Sequence, residues 1–501
     1  MSISGNWDRL ISRRRFVGLG GVGAAAVAFG AAPSSLSRAI GAPGFRSDPF
    51  SLGVASGDPQ PDGVVLWTRL APEPFDGGGM PERAVPVHWE VADDERFAKI
   101  VAHGRLLARP ELAHTVHVEV QGLRPGREYF YRFRVGTEIS PTGRTKTAAA
   151  PGAMHPLRFA FASCQHYEHG FYTAYRHMAD EDLDIVFHLG DYIYEYGPGE
   201  YPSSSGLPRS YSRPETVTLE DYRDRYAVHR GDKDLQAAHQ AFPWVVAWDD
   251  HEVKDNYAAT TCAGVDPAAF ARRRAAAYQA YYEHMPLRRA SAPRAGGMRL
   301  HRRVDFGELV RFNVLDTRQY RGADSLLGMD QERWLLEGLR RSSARWNVLA
   351  QQLPFAPRDP ALGDAWDGYP AARNRMGAAL AEPAVSNPIV LSGDVHSNWA
   401  NHILADYDNP DSEAIGTEFV GTSITSGGDG TDRTARATRG MTVNPHVKFF
   451  NGQRGYVRCR VTESDWRTDY RVVEYVTREG AEISTRASFV TQDGNPGLSL
   501  L

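Results

Sequence analysis

Cysteine is scarce in this sequence, which has 3 among its 501 residues, at positions 164, 262 and 459. So few cysteines exclude a disulfide framework for a chain of this length, although one bridge between Cys262 and Cys459 would leave Cys164 free. The spacing also contains no Cys-x-x-Cys pair, which argues against a structural zinc site. The cysteines are therefore of interest as individual side chains.

An excess of charge of one sign is also lacking. Lys and Arg number 57 against 61 Asp and Glu, so the net charge is −4, and the charges are spread along the chain. This balance gives no indication of nucleic-acid readout or of binding to an anionic membrane surface. The content of 42% apolar and 24% charged residues is typical of a folded soluble protein, and the length suggests two domains.

Long apolar runs are missing as well. The run Gly18–Ala32 is shorter than the roughly 20 apolar residues that span a bilayer, although an N-terminal membrane anchor is the alternative. Together with the preceding Ser12–Val17, which contains Arg13 and Arg14, it resembles a twin-arginine export signal. We therefore predict that residues 1–44 are a signal peptide and linker. The twin-arginine machinery would export the chain, which would be secreted or retained in the periplasm or cell wall without an integral membrane segment.

Residues 45–150 show alternation of apolar and polar side chains. Val85, Val87, Trp89 and Val91 form one such series, and short strands separated by Gly and Pro turns predict an antiparallel β-sandwich. The segment 123–129 resembles the turn into the tyrosine corner of fibronectin-type and immunoglobulin-like domains. His114 and His117 are expected to be exposed or cross-strand residues rather than metal ligands.

Residues 151–501 alternate apolar strands with helical stretches, which predicts an α/β domain built on one or two large sheets. Five of the predicted strands are each followed directly by polar, ionisable residues. The strands are Leu157–Ala162, Leu183–Leu189, Trp244–Trp248, Leu309–Leu315 and Ile389–Leu391. Because loops at one edge of an open sheet converge, these residues should share a crevice, with the Pro198–Pro214 loop in its wall. Such a set predicts a metallohydrolase centre.

Asp191 is the candidate for a carboxylate that bridges two metal ions. The preceding Gly190 permits the sharp turn that directs this carboxylate into the crevice. Tyr194 offers a phenolate, a hard ligand that favours a ferric ion, although an aromatic loop packed on the core is the alternative. Cys164 offers a thiolate for iron or zinc, and a buried structural cysteine is the alternative there.

The most concentrated ionisable group is Asp249–Glu252, which contains Asp250 and His251. These side chains repel one another unless a cation or partners neutralise them, and a solvated acidic loop is the alternative. Asn256 lies just beyond and offers a neutral oxygen for calcium. Asp394 and His396 complete the set from the last of the five strands.

Taken together and in this order, seven segments of the chain resemble the PhoD-like alkaline phosphatases and phosphodiesterases, a branch of the metallophosphatase superfamily. They are Ser51–Pro59, Phe161–Cys164, Gly190–Glu195, Trp248–Glu252, Leu315–Arg321, Ser392–Ser397 and Gly421–Gly428. The resemblance implies a four-layer α/β/β/α metallophosphatase domain preceded by an immunoglobulin- or fibronectin-like β-sandwich. It also implies a ferric ion held by a thiolate and a tyrosinate, with calcium nearby; zinc or manganese are the alternative metals.

Carried over to this sequence, the resemblance implies seven metal ligands: Cys164, Asp191, Tyr194, Asp250, Asn256, Asp394 and His396. Cys164 and Tyr194 would bind iron, and Asp191 would bridge the metals. The choice between Asp250 and Asn256 as the source of calcium oxygens stays open, because the superfamily loop typically has Asn-His where this chain has Asp250-His251.

The predicted function is that of a secreted, metal-dependent alkaline phosphatase acting on monoesters and diesters, small or polymeric. A metal-bound hydroxide would attack phosphorus in line at the Asp191 centre, and Arg318 would stabilise the phosphate oxygens. His251 would assist the leaving group; Arg318 as a structural partner of Asp316 is the alternative for that residue. The rival functions are a dedicated, phospholipase D-like phosphodiesterase and an exported, calcium-stabilised binding protein. We expect a monomer.

Overall fold

The structure is a computed structural model that describes residues 44–409 and 411–501. The predicted twin-arginine segment lies outside the described residues. The β-strands are β1 Val54–Gln60, β2 Gly63–Arg69, β3 Val85–Ala92, β4 Ile100–Ala108, β5 Thr115–Gln121, β6 Glu128–Val135, β7 Glu138–Ile139, β8 Gly143–Lys146, β9 Leu157–Ala162, β10 Ile185–His188, β11 Pro243–Val246, β12 Arg302–Phe306, β13 Val310–Val314, β14 Trp346–Ala350, β15 Pro388–Ser392, β16 Asn398–Leu404, β17 Ala414–Val420, β18 Val447–Asn451, β19 Arg454–Val461, β20 Asp465–Val473, β21 Ile483–Gln492 and β22 Asn495–Leu500. The α-helices are Thr173–Ala179, Leu219–Arg230, Lys233–Ala241, Pro267–His284, Gly328–Arg340, Pro370–Leu380 and Ala435–Val443.

Two large sheets face each other in the second part of the chain. One has the strand order β22-β21-β20-β19-β9-β10-β11-β1-β2-β5, and the other has the order β12-β13-β14-β15-β17-β16-β18. Side chains of both sheets meet in a common core, where the Phe312 ring lies 5.3 Å from Phe159 and 4.3 Å from Phe187. Helices cover the outer faces; Leu335 and Leu339, for example, pack with Leu349 of the smaller sheet. The predicted four-layer architecture is confirmed.

The central strands form where the apolar runs predict them. β9 has the predicted bounds, and the bounds of β10, β11, β13 and β15 lie within one or two residues of those predicted. Strands buried on both faces need continuous apolar sequence, which is why these runs are so clear. Four of the seven described α-helices begin at a capping side chain: Thr218 and Asp221 form a capping box, for example, and Asp266 caps the helix that Pro267 begins.

The predicted N-terminal sandwich is present, but one of its two sheets is shared. Strands β3, β4, β6, β7 and β8 form a separate sheet, whereas β1, β2 and β5 continue the ten-stranded sheet of the second part. The junction is β1, which pairs in parallel with β11, with Ser56 opposite Pro243 and Gly57 opposite Trp244. The predicted tyrosine corner is also formed, because the backbone N–H of Arg124 donates to the Tyr129 hydroxyl at 2.9 Å.

The surface where the two parts meet, which we call the seam, holds several buried polar groups. Asp58 at the end of β1 accepts from Arg302 at 2.7–2.8 Å. His117 of β5 lies in cross-strand register with Trp67. Its imidazole donates to the Met285 carbonyl at 2.9 Å and stacks on the Tyr282 ring. Of the two predicted alternatives, exposed or cross-strand, His117 takes the cross-strand position. Both His114 and His117 are buried, so neither is exposed.

The three cysteines are all free, so the bridge between Cys262 and Cys459 is not formed in the structure. Cys459 is buried in β19 and Cys262 is half-buried in a distant loop. The segment 198–214 contains neither helix nor strand, as predicted. Within the described part of the chain, every helix is too short or too polar to cross a bilayer.

Candidate metal centre

The loops after β9, β10, β11, β13 and β15 meet at the carboxyl ends of these strands. The backbone N–H of Cys164 donates to the Gly190 carbonyl at 3.0 Å, which joins the first two loops. Glycine is required where the loops touch: a Cβ at Gly190 would lie 2.6 Å from the Cβ of Asp249, and one at Gly393 would lie 2.5 Å from the Ser163 hydroxyl. The glycines therefore bring the polar side chains of separate loops together.

Five of the seven predicted ligands have a left-handed backbone: Asn256, with a φ of 53°, and four residues of the cluster. The φ angles are 59° at Cys164, 57° at Asp191, 68° at Asp394 and 52° at His396. Non-glycine residues adopt this conformation rarely, and it persists only where the surrounding structure fixes it. Such strain concentrates at functional sites, so its recurrence at these four positions supports a functional role for the cluster.

Asp191 is shared by three sets of side chains whose ligand atoms lie within 4.8 Å of one another. The sets are Cys164, Asp191 and His396; Asp191, Asp250 and His251; and Asp191, Asp249 and Asp394. Because one carboxylate belongs to all three sets, the centre has room for more than one cation around a common ligand. This is the arrangement expected of a bridging carboxylate.

Tyr194 lies between Asp191 and His396. Its hydroxyl donates to Oδ2 of Asp191 at 2.9 Å, and it lies 3.3 Å from Nε2 of His396 and 2.7 Å from the Ser426 hydroxyl. Arg454 donates to the His396 carbonyl and so fixes the loop that carries this imidazole. A phenol oxygen, an imidazole nitrogen, a thiol and a carboxylate thus lie around one point.

The ionisable groups of the cluster are poorly compensated. Burial and neighbouring carboxylates raise the pKa of Asp191 well above its ordinary value, that of Asp394 to about 8 and that of Asp249 to about 6. Burial likewise raises the pKa values of Cys164 and Tyr194. Oδ1 of Asp191 and Oδ2 of Asp249 are buried and have no hydrogen-bond partner among the described residues. Bound cations would supply the missing positive charge, so the donor set fits metal ions.

Asp250 and Asn256 are placed differently. Burial opposes the ionisation of Asp250, but the charges of Arg318 and His251 and the N–H of Asn256 together lower its pKa to about 2. Asn256 reaches Asp250 only through that backbone N–H, at 2.6 Å, while its exposed side chain donates to Asp255. The structure thus brings Asp250 to Asp191 but not the Asn256 side chain, whose role as a ligand stays a prediction.

His251 is held at the edge of the cluster. Its Nδ1 donates to Oε2 of Glu195 at 2.8 Å, and its ring lies 4.3 Å from that of Tyr194. Although burial acts against the charged ring, the carboxylates of Asp250, Glu195 and Asp191 raise the pKa of His251 well above 6.5. The Tyr201 ring stacks 6.3 Å from the imidazole, so the Pro198–Pro214 loop does contribute to the wall of this site.

Arg318 is fully buried and surrounded by carboxylates. Nε donates to Asp249 at 2.5 Å, while Nη2 lies 2.8 Å from Asp364 and 3.6 Å from Asp250. The Asp316 carboxylate accepts the backbone N–H of Arg318 and not its guanidinium. Among the described residues Nη1 has no partner, so one donor of the predicted phosphate clamp is available. The other two nitrogens of the guanidinium lie within ion-pair distance of three carboxylates.

Several residues of the site are not among the predicted ligands or catalytic residues. Asp249 joins Asp191 and Asp394, and its position beside Asp250 was the signal that could have identified it. Glu252 accepts backbone N–H groups of Asp191, Tyr192 and Asp249 at 2.6–3.2 Å and so ties two of the loops together. Asp364 lies in an irregular segment where no periodicity marks it.

Two family models match this chain. The model described as PhoD-like phosphatase matches residues 159–470, and the model of the N-terminal domain of PhoD-like phosphatases matches residues 35–149. Alkaline phosphatase D of Bacillus subtilis (strain 168) is 53% identical over 524 aligned residues, which cover 98% of this chain and 89% of the relative.

Solved structures give the same result. A structure described as that of PhoD is 55% identical and superposes with a TM-score of 0.90 over 92% of this chain and 93% of its own. A purple acid phosphatase from yellow lupin seeds is 14% identical, with a TM-score of 0.56 over 88% of this chain and 73% of its own. The second likeness concerns the fold alone. The resemblance inferred from the seven sequence segments is confirmed.

Proposed function

Because the chain belongs to the PhoD-like phosphatase family, it is a metal-dependent phosphoric ester hydrolase, and we propose that it hydrolyses both monoesters and diesters as an alkaline phosphatase. The observation that carries the proposal is the position of Asp191, one buried carboxylate common to three groups of ligand atoms. A centre of this kind would hold two cations near one phosphoryl group, and such a pair would supply the chemistry for hydrolysis of either ester.

The kinds of donor atom suggest which ligands would bind iron and which would bind calcium. Thiolate, phenolate and imidazole from Cys164, Tyr194 and His396 suit iron, with zinc as the alternative. The carboxylates of Asp249, Asp250 and Asp394 suit calcium, with manganese as the alternative. Asp191 would serve both. When bound, such ions supply Lewis acidity and make a water molecule nucleophilic near neutral pH.

The side chains around the ligands have separate tasks. His251 is held by Glu195 through Nδ1, so its Nε2 can carry a proton to the leaving oxygen. Arg318 binds Asp249 and Asp364 and keeps these carboxylates in place, which makes it chiefly a positioning residue. Its Nη1 remains a donor for a phosphate oxygen. The Tyr201 ring stacks 6.3 Å from that of His251 and would limit the access of water on that side.

Export is a further part of the proposal. Arg13 and Arg14 followed by the apolar run Gly18–Ala32 support translocation of the folded chain by the twin-arginine machinery. A thiolate-containing centre could then be loaded in the cytosol, before the protein reaches an oxidising compartment. The product would be secreted or retained in the periplasm or cell wall, as a monomer.

The test is an assay of protein exported by its own signal, with its metal content measured. Nitrophenyl phosphate and bis(nitrophenyl) phosphate are supplied at alkaline pH with calcium present. Hydrolysis of both supports the proposal, and hydrolysis of the diester alone makes the protein a dedicated phosphodiesterase. If metal-loaded protein cleaves neither ester, the catalytic proposal is wrong and a binding protein becomes the better explanation.

A further inference from the structure

Arg358 is a half-buried cation with an incomplete set of partners. Its guanidinium lies 4.0 Å over the Trp399 ring, but Nε and Nη2 are buried and have no hydrogen-bond partner among the described residues. Burial lowers the pKa of Arg358 to about 10, and nearby carboxylates only partly offset this effect. Leaving such donors unsatisfied is costly, so a group that binds them would be strongly favoured.

The segment that carries Arg358 is firmly held. Glu418 accepts the backbone N–H groups of Phe355 and Ala356 at 2.6 and 3.0 Å, and His446 donates to the Pro357 carbonyl at 2.8 Å. The Asn444 side chain binds both the N–H and the carbonyl of the next residue, Asp359. The backbone at Arg358 is therefore fixed on both sides, and the guanidinium is presented from a rigid position.

This position is beside the metal centre. The carboxylate of Asp394 is among the charges that act on the Arg358 guanidinium. The Trp399 side chain, over which the guanidinium lies, donates to the Ser397 hydroxyl at 2.8 Å. Ser397 directly follows His396 in the chain. Arg358, Asp394, His396 and Trp399 are each half-buried, so none of these four side chains is fully enclosed.

Two other arginines with unpartnered donors, Arg318 and Arg230, do not combine these features. Arg318 is neutralised by three carboxylates. Arg230 also has unpartnered nitrogens, but it is fully buried against Trp67 and donates to the Tyr192 hydroxyl in the interior. Arg358 alone among these three offers unused guanidinium donors beside the cluster from a side chain that is not enclosed.

We propose that Arg358 binds the second negative charge of a phosphate monoester and thereby sets the preference of this centre for monoesters over diesters. The proposal rests on the proposed phosphatase function. At alkaline pH the phosphoryl group of a monoester is a dianion, whereas a diester carries one charge and one oxygen fewer for a guanidinium to bind. A fork of N–H donors is well matched to two such oxygens. Loss of this fork therefore weakens monoester binding more than diester binding.

The experiment compares wild type with Arg358→Met and Arg358→Lys, each with its metal content verified. Methionine keeps the apolar contact with Trp399 and removes the charge, while lysine restores a charge without the fork. We expect Arg358→Met to lower kcat/KM by about 10- to 100-fold for nitrophenyl phosphate and by less than about 5-fold for the diester, as for loss of a charge-assisted hydrogen bond. Arg358→Lys should recover part of the monoester rate.

A second readout is the binding of inorganic phosphate by calorimetry, which should weaken at least about 10-fold in Arg358→Met. The matched control is Arg375→Met, since Arg375 is a half-exposed arginine paired with Glu332 on a nearby helix. Equal losses on both esters, or no loss, would overturn the inference while wild-type turnover still supports the phosphatase function. If wild type cleaves neither ester, it is the proposed function that fails.

Discussion

The seam and the metal centre are both buried and rich in ionisable groups, but they differ in how charge is balanced. In the seam, Asp58 is paired with Arg302, and both carboxylate oxygens of Glu283 accept from Arg223 at 2.7 Å. In the centre, the Asp191 carboxylate lies among ligand atoms of Asp249, Asp250 and Asp394, and among the described residues no Arg or Lys pairs with it.

This difference separates structural from functional use of charge. Paired ions tolerate burial because each partner offsets the desolvation of the other, whereas carboxylates held close together without partners destabilise the fold. Such destabilisation persists only where the group serves another purpose, here the binding of cations. Substitutions in the two regions should therefore have opposite consequences for activity and stability.

The largest expected effect is that of Asp191→Asn in the centre. The amide keeps the size of the side chain and tolerates the left-handed backbone but removes the charge common to all three ligand groups. We expect kcat/KM for nitrophenyl phosphate to fall at least about 1000-fold, because several kcal/mol of transition-state stabilisation are lost. After chelator treatment, the denaturation midpoint of the variant should be no lower than that of wild type.

The control is Asp305→Asn, which changes an exposed carboxylate on β12. It should leave both the activity and the midpoint unchanged. If Asp191→Asn instead retains more than about a tenth of the wild-type rate, a shared ligand position at Asp191 is excluded.

The next largest effect concerns the seam. Arg302→Met leaves Asp58 buried without its ion partner and removes hydrogen bonds to the Leu300 and Val246 carbonyls. We expect a loss of about 4 kcal/mol in the free energy of unfolding, measured by denaturant titration, with unchanged kcat per folded molecule. Arg311→Met, which breaks the exposed pair with Asp305, should cost less than about 1 kcal/mol. Similar losses in both variants would contradict the buried pairing.

The smallest effect is the pH dependence at His117. Burial lowers the pKa of this histidine to about 4, below the value of about 6.5 in the unfolded chain. As pH falls from 6.5 to 4 the unfolded chain therefore takes up the proton first, and stability is lost by up to about 3 kcal/mol. His117→Gln retains a donor for the Met285 carbonyl and should reduce this loss. The measurement is the free energy of unfolding of wild type and His117→Gln at pH 7 and pH 4.5. An equal loss in both proteins would contradict the role of His117.

Most of the site is predictable because its residues follow apolar strands. The strands before Cys164, Asp191 and Asp394 are buried almost throughout, so their sequences are largely apolar runs with sharp ends, interrupted in β9 by the exposed Arg158. Glycines next to two of these ligands mark the turns. Convergence of the loops then follows from the geometry of an open sheet.

What the sequence does not reveal depends on contacts between distant segments. The role of Arg318 is set by Asp364, which lies 46 residues later in a segment without periodic pattern. Asn256 has the right oxygen for calcium, but a left-handed turn at this residue leaves its side chain exposed. The alternation in β5 predicts a sandwich strand correctly, yet it gives no indication that β5 also belongs to the sheet of the second part.

The pairing of β1 with β11 has a consequence for synthesis of the chain. β11 ends at residue 246, so the first strands cannot find their neighbour until about half of the protein has left the ribosome. Domains usually fold as units in the order in which they are made. Here the N-terminal strands must wait with one edge open, and a chain shortened before residue 246 would retain that unsatisfied edge as a site for aggregation.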